Sequence, residues 1–239
     1  MPSDRILRLG RPLARRIIRS RFTVVSHDEH HVPRTGPALI ASNHIGLMDG
    51  PLMGIFGPRP VHALTKREMF EGGTGRVLRA AGQIPLDRML VDPLAIKTCL
   101  RVLAGGGLVG VYPEGTRGSG ELNHLHAGLA YLALASGAPV VPLVMFGSRP
   151  PDGGVNSVPA RGDRVDMVYG APLSFPRQGW PRTREQVRAT SALLHRALLD
   201  HLAAARTLTG RELPGPIPDL SPDDVVMNAP ASTKEMLDD

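Results

Sequence analysis

Cysteine is almost missing from this 239-residue chain, and the single thiol, Cys99, excludes an internal disulfide framework. Such usage fits a reducing compartment. Aromatic residues are scarce as well, at 4% of the chain. Base-stacking proteins need aromatic platforms, so this scarcity, with no zinc-ligand spacing, argues against a nucleic-acid partner. Long apolar runs are also lacking. Nothing approaches the ~18–20 residues that span a bilayer, and the longest candidate, Pro139–Gly147, is strand length and holds a second proline, Pro142. The basic N-terminus is not followed by the apolar stretch and small-residue cleavage site of a secretory signal. No P-loop or dinucleotide fingerprint is present, and Ser119 in Gly-Ser-Gly lacks the elbow of a serine hydrolase. His27, His30 and His31 crowd against Asp28 and Glu29, but no second ligand group is spaced to complete a metal site. No metal is expected. Cys99, in an apolar helical run, reads as buried and inert.

What is present is basic charge, unevenly spread. The chain carries a formal +6, yet residues 211–239 hold seven acids against two bases, which leaves +11 on residues 1–210. A basic body attracts anionic partners, phosphates above all. The N-terminal segment concentrates the charge: at 100° per residue Ile6, Leu9, Leu13 and Ile17 share one helical face, with Arg5, Arg8, Arg15, Arg16 and Arg19 opposite. This pattern suits a helix lying in a membrane interface, or a terminal helix packed on its own domain with a solvated arginine face. Pro12 is tolerated at a helix start, so the regular helix is expected to begin there.

Beyond it, short apolar runs alternate with helical ones. Strands are expected at Phe22–Ser26, Pro37–Ser42, Val61–Thr65, Gly107–Tyr112, Pro139–Phe146 and Val165–Tyr169, and helices near 45–56, 67–80, 92–104, 124–136 and 183–206. The alternation implies an α/β fold, a mainly parallel central sheet with helices on both faces, preceded by the amphipathic helix. Three regions follow: a basic membrane-associating helix at 1–21, the main domain at 22–210, and an acidic, proline-rich disordered tail at 211–239.

Four segments carry chemistry. In residues 37–50 an apolar strand ends at Ser42, and His44 leaves it five residues before Asp49. On one continuous helix the two side chains would diverge. They meet only if His44 precedes the helix and Asp49 lies in its first turn, and Asn43 is a favoured residue type for capping such a start. An aspartate holding one imidazole nitrogen leaves the other free to take a proton from a hydroxyl. Residues 82–88 bring Arg88 to the end of a short strand, where its planar fork suits a phosphate, or where it pairs with Asp87. Residues 107–122 run a buried strand into a turn that displays Glu114, Gly115, Thr116 and Arg117 together, read as a polyol-and-phosphate site or as a polar turn with an internal Glu–Arg pair. Residues 137–147 form a strand with Pro142 inside it, expected to mark an edge or bulge, with no reactive side chain.

These four blocks, in this order, resemble the glycerolipid acyltransferase family typified by 1-acylglycerol-3-phosphate acyltransferases, across about residues 35–150. The resemblance aligns His44 and Asp49 with the family's histidine–aspartate block, Ile84–Arg88 with its second, Tyr112–Arg117 with its third and Pro139–Leu143 with its fourth. Residues 63–70 are similar to the segment preceding the second block. The resemblance implies His44 as general base oriented by Asp49, Arg88 on the acceptor phosphate, and Glu114, Gly115, Thr116 and Arg117 completing the acceptor pocket. It implies a lysophospholipid acceptor, an acyl donor delivered as a thioester on coenzyme A or acyl carrier protein, and no other cofactor. The acceptor would otherwise be a lyso-ornithine or glycosylated lipid, and the remaining alternative is a catalytically silent membrane-binding homologue. The protein is expected on the cytoplasmic face of an anionic membrane. Two departures stand out: Gly46 occupies a position that is often serine, and Leu125–Gly128 lacks a common lysine, whose charge a protonated His126 would in part replace.

Overall fold

The computed structural model of the protein describes residues 5–88 and 91–218. The alternating apolar runs form seven strands: β1 (Thr23–His27), β2 (Ala38–Ser42), β3 (Val61–Lys66), β4 (Ile84–Leu86), β5 (Leu108–Val111), β6 (Val140–Phe146) and β7 (Arg164–Tyr169). Six helices accompany them: α1 (Arg5–Arg19), α2 (Asp49–Phe56), α3 (Gly72–Ala80), α4 (Pro93–Ala104), α5 (Gly128–Ser136) and α6 (Arg184–Thr209). The strands join in one sheet in the order β1-β7-β6-β2-β5-β3-β4. Every pairing is parallel except β6 with β7.

Residues alternate between two cores because successive strand side chains point to opposite faces. Leu39, Ala41, Val109, Val111, Val140 and Val144 face α4, α5 and α6. Ala38, Ile40, Leu108, Val141, Leu143 and Met145 face α2 and the inner side of α1. Buried on both faces, these strands are continuously apolar, as parallel strands require. Because β2, β3, β4, β5 and β6 run the same way, the segments leaving their carboxyl ends gather on one edge. That edge is where open α/β sheets bind ligands.

Three local expectations are corrected. Pro142 sits in the interior of the sheet, in β6 between β2 and β7. Pairing with β7 begins only at Leu143–Tyr169, so the donor that proline lacks falls where the ladder ends, while its carbonyl still accepts from the Gly170 N–H at 2.9 Å. Helix α1 does not begin at Pro12 but runs through it from Arg5. Helices α2 and α5 start four residues later than expected, at Asp49 and Gly128, after the loops that leave β2 and β5.

The orientation of α1 is the largest difference. Its inward side carries Leu7 and Ile18 together with Arg11 and Arg15: Arg15 Nε and Arg11 Nε both donate to the Ile55 carbonyl, at 2.8 and 3.0 Å. Arg15 Nη2 reaches Phe56 and Gly57 carbonyls at 3.3 and 3.2 Å. These are among the last carbonyls of α2, unsatisfied within the helix and negative in potential, so cations belong there. Arg15 and Arg19 also stack over the Phe56 ring. The apolar stripe is what remains outside, with Leu9 82% and Leu13 65% exposed. Arg8, Arg16 and Arg19 are exposed as well. No described helix is long and apolar enough to cross a membrane.

Residues 211–218, counted with the tail in the sequence reading, lie against the body. Ile217 is buried, Leu213 packs on the core, and the Gly215 carbonyl accepts from Arg149. Residues 219–239, the rest of the expected tail, lie outside the described residues.

Helix α2 is seated through Leu52 and Met53, both fully buried. Leu52→Ala is expected to lower unfolding free energy by roughly 2–5 kcal/mol, the range for truncating a buried leucine. Urea unfolding measures it, and the dependence on denaturant should stay unchanged.

Candidate active site

The exit of β2 explains how a histidine and an aspartate five residues apart meet. His44 lies in the extended loop and Asp49 opens α2, as the sequence argument required. His44 Nδ1 stands 2.7 Å from Asp49 Oδ2. The same oxygen accepts the backbone N–H groups of Ile45 at 2.7 Å and Gly46 at 2.9 Å. The other oxygen, Oδ1, accepts from the Ser148 hydroxyl. Asp49 is wholly buried. A buried carboxylate survives only when its lone pairs are met, and here four donors meet them, beside the positive end of α2. With Nδ1–H given to the carboxylate, Nε2 is the basic nitrogen of His44. No described residue bonds to Nε2, and the side chain keeps 19% exposure.

Asn43 does not cap α2. Its amide bridges the strands instead, donating to the Met145 carbonyl at 3.1 Å and accepting from the Met145 N–H at 2.8 Å. It thereby extends the β2–β6 pairing past Ser42 and fixes where His44 leaves the sheet. The imidazole lies flat on Tyr112, with ring centroids 4.1 Å apart and planes 19° from parallel. The Tyr112 hydroxyl is buried without a partner among the described residues, and burial next to Asp49 holds its pKa well above the ordinary value.

The turn after β5 is tied to the first loop. The Gly118 N–H donates to the His44 carbonyl at 2.9 Å. Glu114 forms no pair with Arg117. Its carboxyl accepts from the Leu122 N–H at 3.2 Å and from the backbone of His44, and burial pushes its pKa up to about 7. Gly115 has a φ of +72°, and a Cβ there would stand 2.4 Å from His126 Nε2, so only glycine fits. Arg88 Nη1 donates to the Gly115 carbonyl at 2.8 Å, which joins the second block to the third; Asp87 instead stands 3.8 Å from Arg67. Arg117 turns toward Val155 O at 3.0 Å and Asn156 Oδ1 at 3.2 Å. Its pKa is lowered by burial, an effect that the Asp49 charge opposes and the nearby Arg88 charge reinforces. Thr116, half-buried, lies between them. Each guanidinium spends one nitrogen on these anchors and retains further donors for an anion.

A family model described as Acyltransferase matches residues 23–146. The chain belongs to the acyltransferase family. This acyltransferase is 27% identical, over 76% of its length and 89% of the relative's, to a 1-acyl-sn-glycerol-3-phosphate acyltransferase of Bacillus subtilis. It is 32% identical to the 1-acyl-sn-glycerol-3-phosphate acyltransferase alpha of Ovis aries, over 48% of this chain and 42% of that one. Its fold is similar to that of the 1-acyl-sn-glycerophosphate (LPA) acyltransferase from Thermotoga maritima, with a TM-score of 0.59, 21% identity, and coverage of 83% of this chain and 80% of that structure.

Two site residues of the acyltransferase were missed in the sequence. Ser148 and Arg149 lie just past β6, beyond the end of the 137–147 block. Ser148 completes the shell of Asp49, and its approach explains Gly46. A Cβ at position 46 would stand 3.0 Å from the Ser148 carbonyl and 3.1 Å from Arg149 Cβ. Arg149 is 1% exposed, and its Nε donates to the Ile45 carbonyl at 2.7 Å. Its other nitrogens reach the carbonyls of Gly118, Gly153 and Gly215, so one guanidinium pins four loops around the site. The available signal was position: polar residues just past an apolar strand, at the edge where ligands bind. Burial lowers the pKa of His126, which the backbone hydrogen bond at Glu114 opposes and Arg88 and His124 reinforce, so the site disfavours the protonated form that would replace the absent lysine charge. Among the crowded histidines, His27 pairs with Asp166 at 2.8 Å and His31 bonds the Tyr169 carbonyl at 3.0 Å. The Cys99 thiol is buried, with its pKa pushed up to about 12.

The Glu114 carboxyl has a linkage consequence. Its folded pKa lies above the unfolded value, so it contributes stability below about pH 4.5 that is lost as pH rises through about 7. Glu114→Gln is expected to flatten the fall in stability between these limits. Urea unfolding at pH 5 and pH 8, for both proteins, tests this. An identical pH dependence in the two would contradict the assignment.

Proposed function

We propose that this acyltransferase moves a fatty acyl group from a thioester, on coenzyme A or acyl carrier protein, to the free hydroxyl of a lysophospholipid such as 1-acylglycerol-3-phosphate, a step of phospholipid biosynthesis. The observation that carries the reading is the His44–Asp49 contact, which leaves His44 Nε2 basic at the strand-end edge with Arg88 and Arg117 nearby. His44 Nε2 accepts the proton as the acceptor oxygen attacks the thioester carbonyl. The C–S bond then breaks, and the departing sulfur takes the proton from the imidazolium. Asp49 keeps the tautomer and favours the transient cation. Arg88 and Arg117 hold the acceptor phosphate, with Glu114, Gly115 and Thr116 shaping the pocket. The name of the Bacillus subtilis relative, matched over most of both chains, supports the acceptor class. His126, half-buried and with its pKa lowered chiefly by burial, stands where a lysine is common, which favours a second reading: the same chemistry on a differently headed acceptor, such as a lyso-ornithine or glycosylated lipid.

A lipid acceptor asks for a membrane. The exposed stripe of Ile6, Leu9, Leu13 and Ile17 would enter the interface, with Arg16 and Arg19 at its flanks. This gives peripheral attachment to the cytoplasmic face of an anionic membrane.

Release of free thiol from acyl-coenzyme A, with and without lysophosphatidate, tests the reaction. Release that ignores the acceptor would contradict it. His44→Ala should lower turnover by roughly 10²–10⁴-fold with folding intact. Arg88→Ala should raise the acceptor KM far more than the donor KM, and Arg88→Lys should rescue only in part, since a point charge lacks the planar fork. Ser148→Ala, which strips one hydrogen bond from a charged group, should slow turnover by about tenfold. Leu9→Asp with Leu13→Asp should abolish co-sedimentation with vesicles while sparing activity on detergent-dispersed substrate; unchanged sedimentation would assign docking to another surface.

A further inference from the structure

At the sheet edge opposite His44 lies a second basic site. A cavity of about 700 Å³ opens between α1 and the loops that precede β2, β3 and β5. Arg8, Arg11 and Arg15 line it from α1, and Arg34 and Arg59 line it from the loops. Among the described residues no carboxylate lines it. Gly36 borders the cavity and His44 lies eight residues on, so at ~3.3 Å per residue along β2 the two sites stand roughly 25 Å apart. The cavity is therefore outside the acyl-transfer site.

Arg59, Arg11 and Arg15 are held in place by backbone carbonyls. Arg59 donates to the carbonyls of Pro33 at 2.8 Å, Gly36 at 2.9 Å and Gly106 at 2.6 Å. Arg11 and Arg15 share the Ile55 carbonyl. Capping the end of α2 needs one cation, and Arg15 alone reaches three of its carbonyls. Arg11 Nη2 is buried with no partner among the described residues. Burial lowers the pKa of Arg11, with Arg15 and Arg8 adding to the effect and Tyr169 and Glu29 opposing it. Burial and Arg8 likewise lower that of Arg59. Like charges fixed at this density repel one another, and an anion with several acceptor oxygens relieves the repulsion.

We propose that this cavity is a second anion site that binds a phosphate group through Arg8, Arg11, Arg34 and Arg59. Two sources share that chemistry. The headgroup of an anionic phospholipid would reach it from a bilayer beside α1, and a free phosphate compound would reach it from water. The site stands whether or not the acyl-transfer reading holds.

Calorimetric titration with pyrophosphate, and co-sedimentation with phosphatidylcholine vesicles with and without phosphatidic acid, test the proposal on the full chain. Arg88→Ala with Arg117→Ala serves as background, so that anions at the acceptor pocket are not counted. In it, Arg8→Gln with Arg34→Gln should weaken binding by about tenfold or more. Arg16→Gln with Arg21→Gln removes equal charge outside the cavity and should leave pyrophosphate binding intact. Thermal unfolding checks that each variant folds, and Arg11→Gln provides an independent lesion of the same cavity. Loss of both pyrophosphate and phosphatidic-acid binding in the cavity variants supports a site open to free phosphate; loss confined to vesicles supports a lipid headgroup. If neither cavity variant differs from the control pair in either assay, the proposal is wrong.

Discussion

A single carboxylate, Asp49, is buried completely at the junction of a strand exit and a helix start, and four donors converge on it. Two are backbone N–H groups, one is the His44 ring and one is the Ser148 hydroxyl. Burying that charge unpaired would cost several kcal/mol, so the surrounding chain must bring the donors to it. The turn at 44–49, the glycine at 46 and the arrival of β6 beside β2 all follow from that requirement. Asn43 fixes the strand exit and Arg149 pins the loops, so the imidazole is held before any substrate arrives.

Helix α2 links this centre to the far side of the molecule. Its positive end supports Asp49, and its negative end is covered by Arg11 and Arg15 from α1. Satisfying those carbonyls brings Arg11 and Arg15 inward beside Leu7 and Ile18 and leaves the stripe of Ile6, Leu9, Leu13 and Ile17 outside. The helix-end electrostatics thus help to set which side of α1 is exposed, and they hold Arg11 and Arg15 at the distal cavity.

Much of this was legible in the amino-acid sequence. Strand positions followed from apolar runs bounded by glycine and proline, and the His44–Asp49 meeting followed from helical geometry, since five residues separate side chains on a helix but not across its first turn. What escaped depended on contacts distant in sequence. Asn43 bonds Met145 and Ser148 bonds Asp49, each about a hundred residues away, and no local pattern announces either. Pro142 looked like an edge marker because the sequence does not reveal where its ladder ends. The periodicity of α1 separated an apolar stripe from the arginines, but the side that packs on the body, through Leu7, Arg11, Arg15 and Ile18, lies between them and is set in part by the unsatisfied carbonyls of a different helix. The turn at 114–117 was read as one display of functional groups, whereas Glu114 is turned inward to hold backbone and Arg117 is turned aside to Asn156.

The central claim is that Asp49 acts on the reaction through His44 and not beside it. A double-mutant cycle on acyl transfer to lysophosphatidate, comparing His44→Ala, Asp49→Asn and the pair, measures this directly. If Asp49 works through His44, then once His44 is gone removing the Asp49 charge costs no further activity, and the double variant turns over at the rate of His44→Ala alone. Losses that multiply, with the double variant slower than His44→Ala by the full factor of Asp49→Asn, would contradict it.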